Sequence, residues 1–284
     1  MIISIASGKG GTGKTTLAVN LALSLKNAQL LDCDVEEPNA HLFIKPQIQA
    51  EIKTHIPVPE VDASKCTYCG KCSEVCAYHA IAVLPGSNDQ KGNLLIFPHL
   101  CHGCGACSLL CPQAAIKETD KEIGIIEIGQ HGDLQFAHGR LNIGEAMSPP
   151  LIRQVKKYIN PTRTVIIDAP PGTSCPMISA VKGSDFCLLV TEPTPFGHND
   201  LILAVEVLRK LKIPFGVVIN RCDIGDGKVG QYCQEENIPV LMQIPFSRAI
   251  AASYSQGVPI VQQDASSQEK FVNLYNKILG RKGN

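Results

Sequence analysis

Apolar residues along the chain gather into short unbroken runs: Ile2–Ala6, Leu30-Leu31, Thr164–Ile167, Phe186–Val190, Phe215–Ile219 and Val240–Ile244. Runs this short, rich in Val and Ile, predict strands buried on both faces of a parallel sheet. Helical stretches fall between them, over Thr15–Leu25, 197–211 and roughly 229–236, with a last one over about 267–279. Strand and helix taking turns predicts an α/β fold, a mostly parallel sheet with helices on both faces.

The rhythm breaks in the middle. Residues 57–65 carry two prolines and then polar residues, the texture of a linker. Residues 122–143 alternate apolar and polar among glycines, predicting a hairpin or two short strands at Ile123–Ile128 and Leu134–Ala137. Ser148-Pro149-Pro150 reads as a helix start, with Ser as cap and Pro in the first turn.

The first strand runs into Gly8-Lys9-Gly10-Gly11-Thr12-Gly13-Lys14-Thr15-Thr16, which fits G-x-x-x-x-G-K-[ST] between a strand and a helix. Glycines let backbone amides curl round a phosphate, and the helix N-terminus adds its positive end. Lys14 is expected to reach the β- and γ-phosphates of a nucleotide and Thr15 to coordinate Mg²⁺. The second predicted strand ends in Asp32-Cys33-Asp34, and Asp168 closes another, ahead of Ala169-Pro170-Pro171-Gly172-Thr173. A carboxylate at a strand's C-terminal end is where a P-loop enzyme meets Mg²⁺. Asn220-Arg221-Cys222-Asp223 follows a further strand. Its spacing echoes the guanine-reading N-K-x-D, and a plain turn residue at Asn220 fits as well.

Between these two halves lies an internal repeat. C-x₂-C-x₂-C-x₃-C occurs at Cys66, Cys69, Cys72, Cys76 and again at Cys101, Cys104, Cys107, Cys111. Three thiolates at this spacing wrap a corner of a [4Fe–4S] cubane, and the fourth cysteine of each run ligates the other cluster. The expected sets are therefore Cys66, Cys69, Cys72, Cys111 and Cys101, Cys104, Cys107, Cys76. Zinc needs only two C-x₂-C pairs per site and leaves a third cysteine and the x₃ arm unexplained. With eight cysteines in place, His79, His99 and His102 read as structural or surface residues. Cys175 follows the Pro-Pro-Gly-Thr segment; a lone cysteine at a helix start is commonly structural, and a ligand role there stays open.

Charge changes the picture by exclusion. Lys+Arg and Asp+Glu both number 26, so the formal net charge is zero, which argues against nucleic acid or an anionic membrane as partner. No apolar run approaches a membrane span, and Phe271–Leu279 reads as a last core helix. The opening residues show no leader, so we expect a cytoplasmic protein, where thirteen cysteines stay reduced.

The Lys9-Gly10-Gly11-Thr12-Gly13-Lys14-Thr15 form resembles the deviant Walker A (SIMIBI-type) ATPases of the MinD/ParA/Mrp and nitrogenase iron-protein class. The resemblance implies that Lys9 crosses a homodimer interface to the partner's nucleotide. It also implies that Asp34 orients the attacking water, Asp168 serves the second switch and Asn220 meets adenine, so that ATP is the nucleotide. Residues 66–118 resemble a bacterial two-cluster ferredoxin, with Ala77 standing where the second run has Pro112. Together these imply a P-loop ATPase domain over 1–58 and 119–284, interrupted at 59–118 by a small α+β ferredoxin-like insert. The implied work is ATP-driven assembly or delivery of an iron–sulfur or mixed-metal cofactor to a client metalloprotein. The other readings are ATP-gated electron transfer to a redox partner and, third, a positioning ATPase.

Overall fold

All six apolar runs form strands in a computed structural model, which describes residues 1–86, 91–263 and 265–281. The strands are β1 (Ile2–Ala6), β2 (Ala28–Asp32), β3 (Gln47–Val61), β4 (Ile81–Leu84), β5 (Asn93–Ile96), β6 (Ile116–His131), β7 (Leu134–Leu141), β8 (Thr164–Asp168), β9 (Phe186–Thr191), β10 (Phe215–Asn220) and β11 (Val240–Ile244). The helices are α1 (Lys14–Ser24), α2 (Ala40–Ile44), α3 (Lys71–Glu74), α4 (Ala106–Leu109), α5 (Pro149–Val155), α6 (Cys175–Val181), α7 (Pro195–Leu211), α8 (Lys228–Glu235), α9 (Arg248–Ser255) and α10 (Ala265–Leu279).

Among the described residues the larger sheet has nine strands, in the order β11-β10-β9-β1-β8-β2-β7-β6-β3. Every neighbouring pair from β11 to β7 runs parallel. Ile3, Ile5, Leu30, Ile166, Leu188 and Val218 share one core with Leu17 and Leu21 of α1 and Phe271, Leu274 and Ile278 of α10. Alternate residues on the same strands, such as Leu31, Val165, Ile167 and Leu189, are as deeply buried. A strand's side chains alternate between faces, and α6 and α7 pack against β1 and β9 to cover the second face. This double burial is why the strands read as unbroken apolar runs.

The expected linker at 57–65 is instead largely strand, the end of β3. Its first residues, 47–51, are all exposed, so no apolar pattern marked it. Pro57 and Pro59 are tolerated because β3 is the edge of the sheet, where a missing N–H breaks no ladder.

The chain divides into two units. The first comprises Met1–Ile52, Ile126–Arg140 and Ile152–Asn284, and the second Lys53–Ile125 with Leu141–Leu151. In the second, β4 and β5 form an antiparallel pair, and Cys72, Ile81 and Ile116 form a small core. No helix among the described residues is long and apolar enough to cross a membrane.

Candidate functional site

In the first unit the phosphate loop leaves β1 and enters α1 through Gly13, whose φ of +95° only glycine adopts without strain. Gly8 is equally constrained, since a Cβ there would lie 2.3 Å from the Asp200 carbonyl oxygen at the start of α7. Gly10, Gly11, Gly13, Lys14, Thr15 and Thr16 line a cavity together with Asp34, Glu37, Asn39 and Asn220. Phe246, Ile250 and Tyr254 line it too, giving it an apolar wall. Gly8 and Thr12 are outside that lining and belong to the frame of the loop.

Three carboxylates stand at neighbouring strand ends, because β8 and β2 register Asp168 against Asp32. Asp32 is fully buried, and its carboxylate accepts from the amides of Asp34 (3.1 Å), Asn39 (3.1 Å) and Ala40 (3.0 Å). It organises the loop after β2 and the first turn of α2. Burial, then the charge of Asp168, pushes its pKa well up. Asp34 is pushed up to about 6 by burial, against the pull of Lys14.

Asp168 is pushed up to about 7 by burial. Both its oxygens are buried and close no hydrogen bond among the described residues, although the Thr15 hydroxyl is near enough to favour the anion. A buried carboxylate left without partners costs free energy unless a cation joins it. Hard oxygens from Asp168 and Thr15 suit Mg²⁺. Burial also lowers the pKa of Lys14, while Asp168 and Asp34 hold it up.

Asn220 lines the cavity and also braces the loop beneath it. Its Nδ2 donates to the Thr12 carbonyl at 2.9 Å and its Oδ1 accepts from the Arg221 amide at 3.0 Å. Asp223 Oδ1 accepts from the Phe246 amide at 2.6 Å, so this carboxylate pins the chain after β11.

Sequence reasoning gave Glu192 no role of its own. It is buried just past β9, 2.8 Å from Arg221 Nη1 and 4.0 Å from Lys9 Nζ. The available signal was an acidic residue two places past the apolar run Phe186–Val190.

In the second unit, Cys66, Cys69, Cys72 and Cys111 line one cavity, and Cys76, Cys101, Cys104 and Cys107 line another. Each cavity takes three cysteines from one run and the fourth from the other. Among the described residues no three His, Cys, Asp or Glu side chains are gathered tightly enough for a single metal ion. A cubane is wider than an ion and keeps its thiolates farther apart, so thiols around a cavity fit a cluster. Amides already aim at sulfur: Ala80 N reaches Cys76 Sγ and Ala115 N reaches Cys111 Sγ, both at 3.3 Å. Cys33 and Cys187 are buried in the first unit, where burial pushes the Cys187 thiol up to about 12. Cys175 is exposed at the start of α6.

A model of the CobQ/CobB/MinD/ParA nucleotide-binding domain matches residues 3–260. The chain belongs to this family. As a MinD/Mrp-superfamily member it is a nucleotide-binding P-loop ATPase. An uncharacterized protein of Methanocaldococcus jannaschii is 34% identical over 265 residues, covering 90% of each chain. A Pyrococcus horikoshii protein named iron-sulfur cluster carrier protein is 24% identical, over 98% of this chain and 85% of its own. Among solved structures, the Pyrococcus furiosus cell division ATPase MinD superposes with a TM-score of 0.58 at 21% identity, over 98% of both chains. MinD of Pyrococcus horikoshii, complexed with Mg-ADP, gives 0.58 at 20%, over 100% of this chain and 99% of its own. At these identities the two structures bear on the fold alone.

Proposed function

We propose that this MinD/ParA-family ATPase uses MgATP binding and hydrolysis to assemble or deliver an iron–sulfur or mixed-metal cofactor to a client protein. The observation that carries the reading is the sorting of eight cysteines into two sets of four, each around its own cavity. A relative named as an iron–sulfur cluster carrier supports it.

In this reading the first unit handles the nucleotide. Backbone amides of the glycine loop and Lys14 hold the phosphates. Thr15 and Asp168 hold Mg²⁺, which neutralises phosphate charge when bound. That cation also meets the two Asp168 oxygens, which close no hydrogen bond among the described residues. Asp34 orients the lytic water, and a pKa near 6 leaves it largely ionised at neutral pH. Lys9 acts on the nucleotide of a second copy in a homodimer, leaving Glu192 to Arg221 when it does.

The second unit holds two [4Fe–4S] clusters, one on Cys66, Cys69, Cys72 and Cys111, the other on Cys76, Cys101, Cys104 and Cys107. Thiolates supply charge, and nearby amides donate to sulfur. Incubating anaerobically loaded protein with an apo acceptor that needs a [4Fe–4S] cluster tests the reading. ATP-dependent movement of iron and sulfide into the acceptor is expected. Clusters that cycle electrons and keep every iron would replace delivery with electron transfer.

A further inference from the structure

The two cysteine runs share more than spacing. Shifting the chain by 35 residues carries Cys66, Cys69 and Cys72 onto Cys101, Cys104 and Cys107, and Cys76 onto Cys111. The local geometry follows the shift. Gly70 and Gly105 both open their short helices with positive φ, 82° and 72°. Ser73 Oγ donates to the Ile81 carbonyl and Ser108 Oγ to the Ile116 carbonyl, each at 2.9 Å. His79 and Ala114 are both left-handed, at φ 51° and 48°. One frame has been built twice, so each cavity is an internal control for the other.

Against that frame two charges break the symmetry. Lys71 lines the Cys66 cavity, and its counterpart at the other cavity is Ala106. Val83 also lines the Cys66 cavity, and its counterpart is Glu118. The carboxylate is close to the ligands: a Cβ on Gly105 would lie 2.8 Å from Glu118 Oε1, whereas one on Gly70 would meet nothing within 4 Å. Among the described residues that line them, the Cys66 cavity thus carries Lys71 and no carboxylate, and the other carries Glu118 and no lysine or arginine, with His102 beside it.

We infer that the two cluster sites are electronically unequal: the Cys66, Cys69, Cys72, Cys111 site takes up an electron first, and Glu118 holds the other site at lower potential. This rests on the reading that these cysteines bind clusters. Reduction adds one negative charge to a cluster whose thiolates already make it anionic, so a neighbouring cation favours it and a neighbouring anion opposes it. One contact works the other way, for the Gly103 amide donates to Cys101 Sγ. At 3.4 Å it is an ordinary N–H···S distance, and the full charge of Glu118 outweighs this one neutral donor.

The test is a dithionite potentiometric titration of the full chain, purified anaerobically, followed by EPR at pH 8. Iron and acid-labile sulfide are counted first; protein with neither overturns both this inference and the cluster reading. With eight irons, two separated one-electron steps are expected. Glu118→Val and Glu118→Gln should each raise only the lower potential, and Lys71→Ala should lower only the upper. The double variant should bring the steps together. A single step in the wild type, or Glu118 variants that shift the upper potential or neither, would overturn the inference and leave the cluster reading standing.

Discussion

Asn220 Nδ2 donates to the Thr12 carbonyl oxygen at 2.9 Å, tying the end of β10 to the phosphate loop. The two residues are 208 positions apart in the chain. The same amide lies 2.6 Å from where a Cβ on Gly13 would stand, so the brace and the glycine's left-handed turn belong together.

Asn220→Ala removes this brace and leaves the Thr12 carbonyl without its donor. Loss of one such bond is worth about 1–2 kcal/mol, so nucleotide affinity should fall about tenfold in isothermal titration. Unchanged affinity would mean the loop holds its shape alone.

Much of this fold was open to reading in the sequence, for a physical reason. Strands such as β8 and β9 are covered on both faces and so carry the unbroken apolar runs Val165–Ile167 and Phe186–Val190. The phosphate loop and the cysteine runs are bound to short spacings by the shape of a phosphate and of a cubane. β3 escaped because its exposed start carries no pattern. The hydrogen-bonding duty of Asn220 escaped because Thr12 becomes its neighbour only once the sheet is assembled, and that of Asp32 because nothing in the spacing to Ala40 shows that the loop after β2 folds back onto it.

The two lysines of the loop should separate in function. Lys14 is buried among Asp34 and Asp168, whereas Lys9 is partly exposed beside Glu192. Lys14→Ala should weaken nucleotide binding at least 100-fold, equivalent to about 2.7 kcal/mol. Lys9→Ala should leave the monomer's affinity within a factor of three and abolish nucleotide-dependent dimerisation in analytical ultracentrifugation. Equal loss of affinity in both variants would remove the distinction.

Asp34→Asn should bind MgATP normally and lose hydrolysis by 100-fold or more. Orienting water matters only in the transition state, so the loss should appear in kcat and spare KM. Near-normal turnover would move that role to another carboxylate.

Asp168 predicts an unusual pH dependence of the metal-free protein. Its pKa rises from 3.8 to about 7 on folding, so the native chain holds the proton more tightly than the unfolded one. The stability it brings is complete below pH 3.8 and is lost as pH rises through about 7. That loss is about 2–4 kcal/mol. In EDTA the wild-type Tm should therefore fall from pH 5 to pH 8, and Asp168→Asn should make that fall shallower, Asp32 and Asp34 keeping the rest. MgADP should reverse it, since the ionised carboxylate is the form that meets a cation. Parallel pH profiles for the two proteins would show that Asp168 does not titrate in this range.

ATP-driven delivery of a cluster requires nucleotide state and cluster state to be coupled. A ligand shifts a conformational equilibrium only by its differential affinity for the two states, and coupling is reciprocal. β3 and β6 each carry the chain across the boundary between the two units, so both strands join the ATPase covalently to the cysteine runs. The most direct measurement is the rate of iron loss to a chelator from anaerobic protein in MgADP and in a slowly hydrolysed MgATP analogue. The account predicts rates that differ several-fold between the two states, with Lys14→Ala showing one rate in both. Identical rates in wild-type protein would contradict it, leaving an ATPase and a cysteine module that share a chain and nothing else.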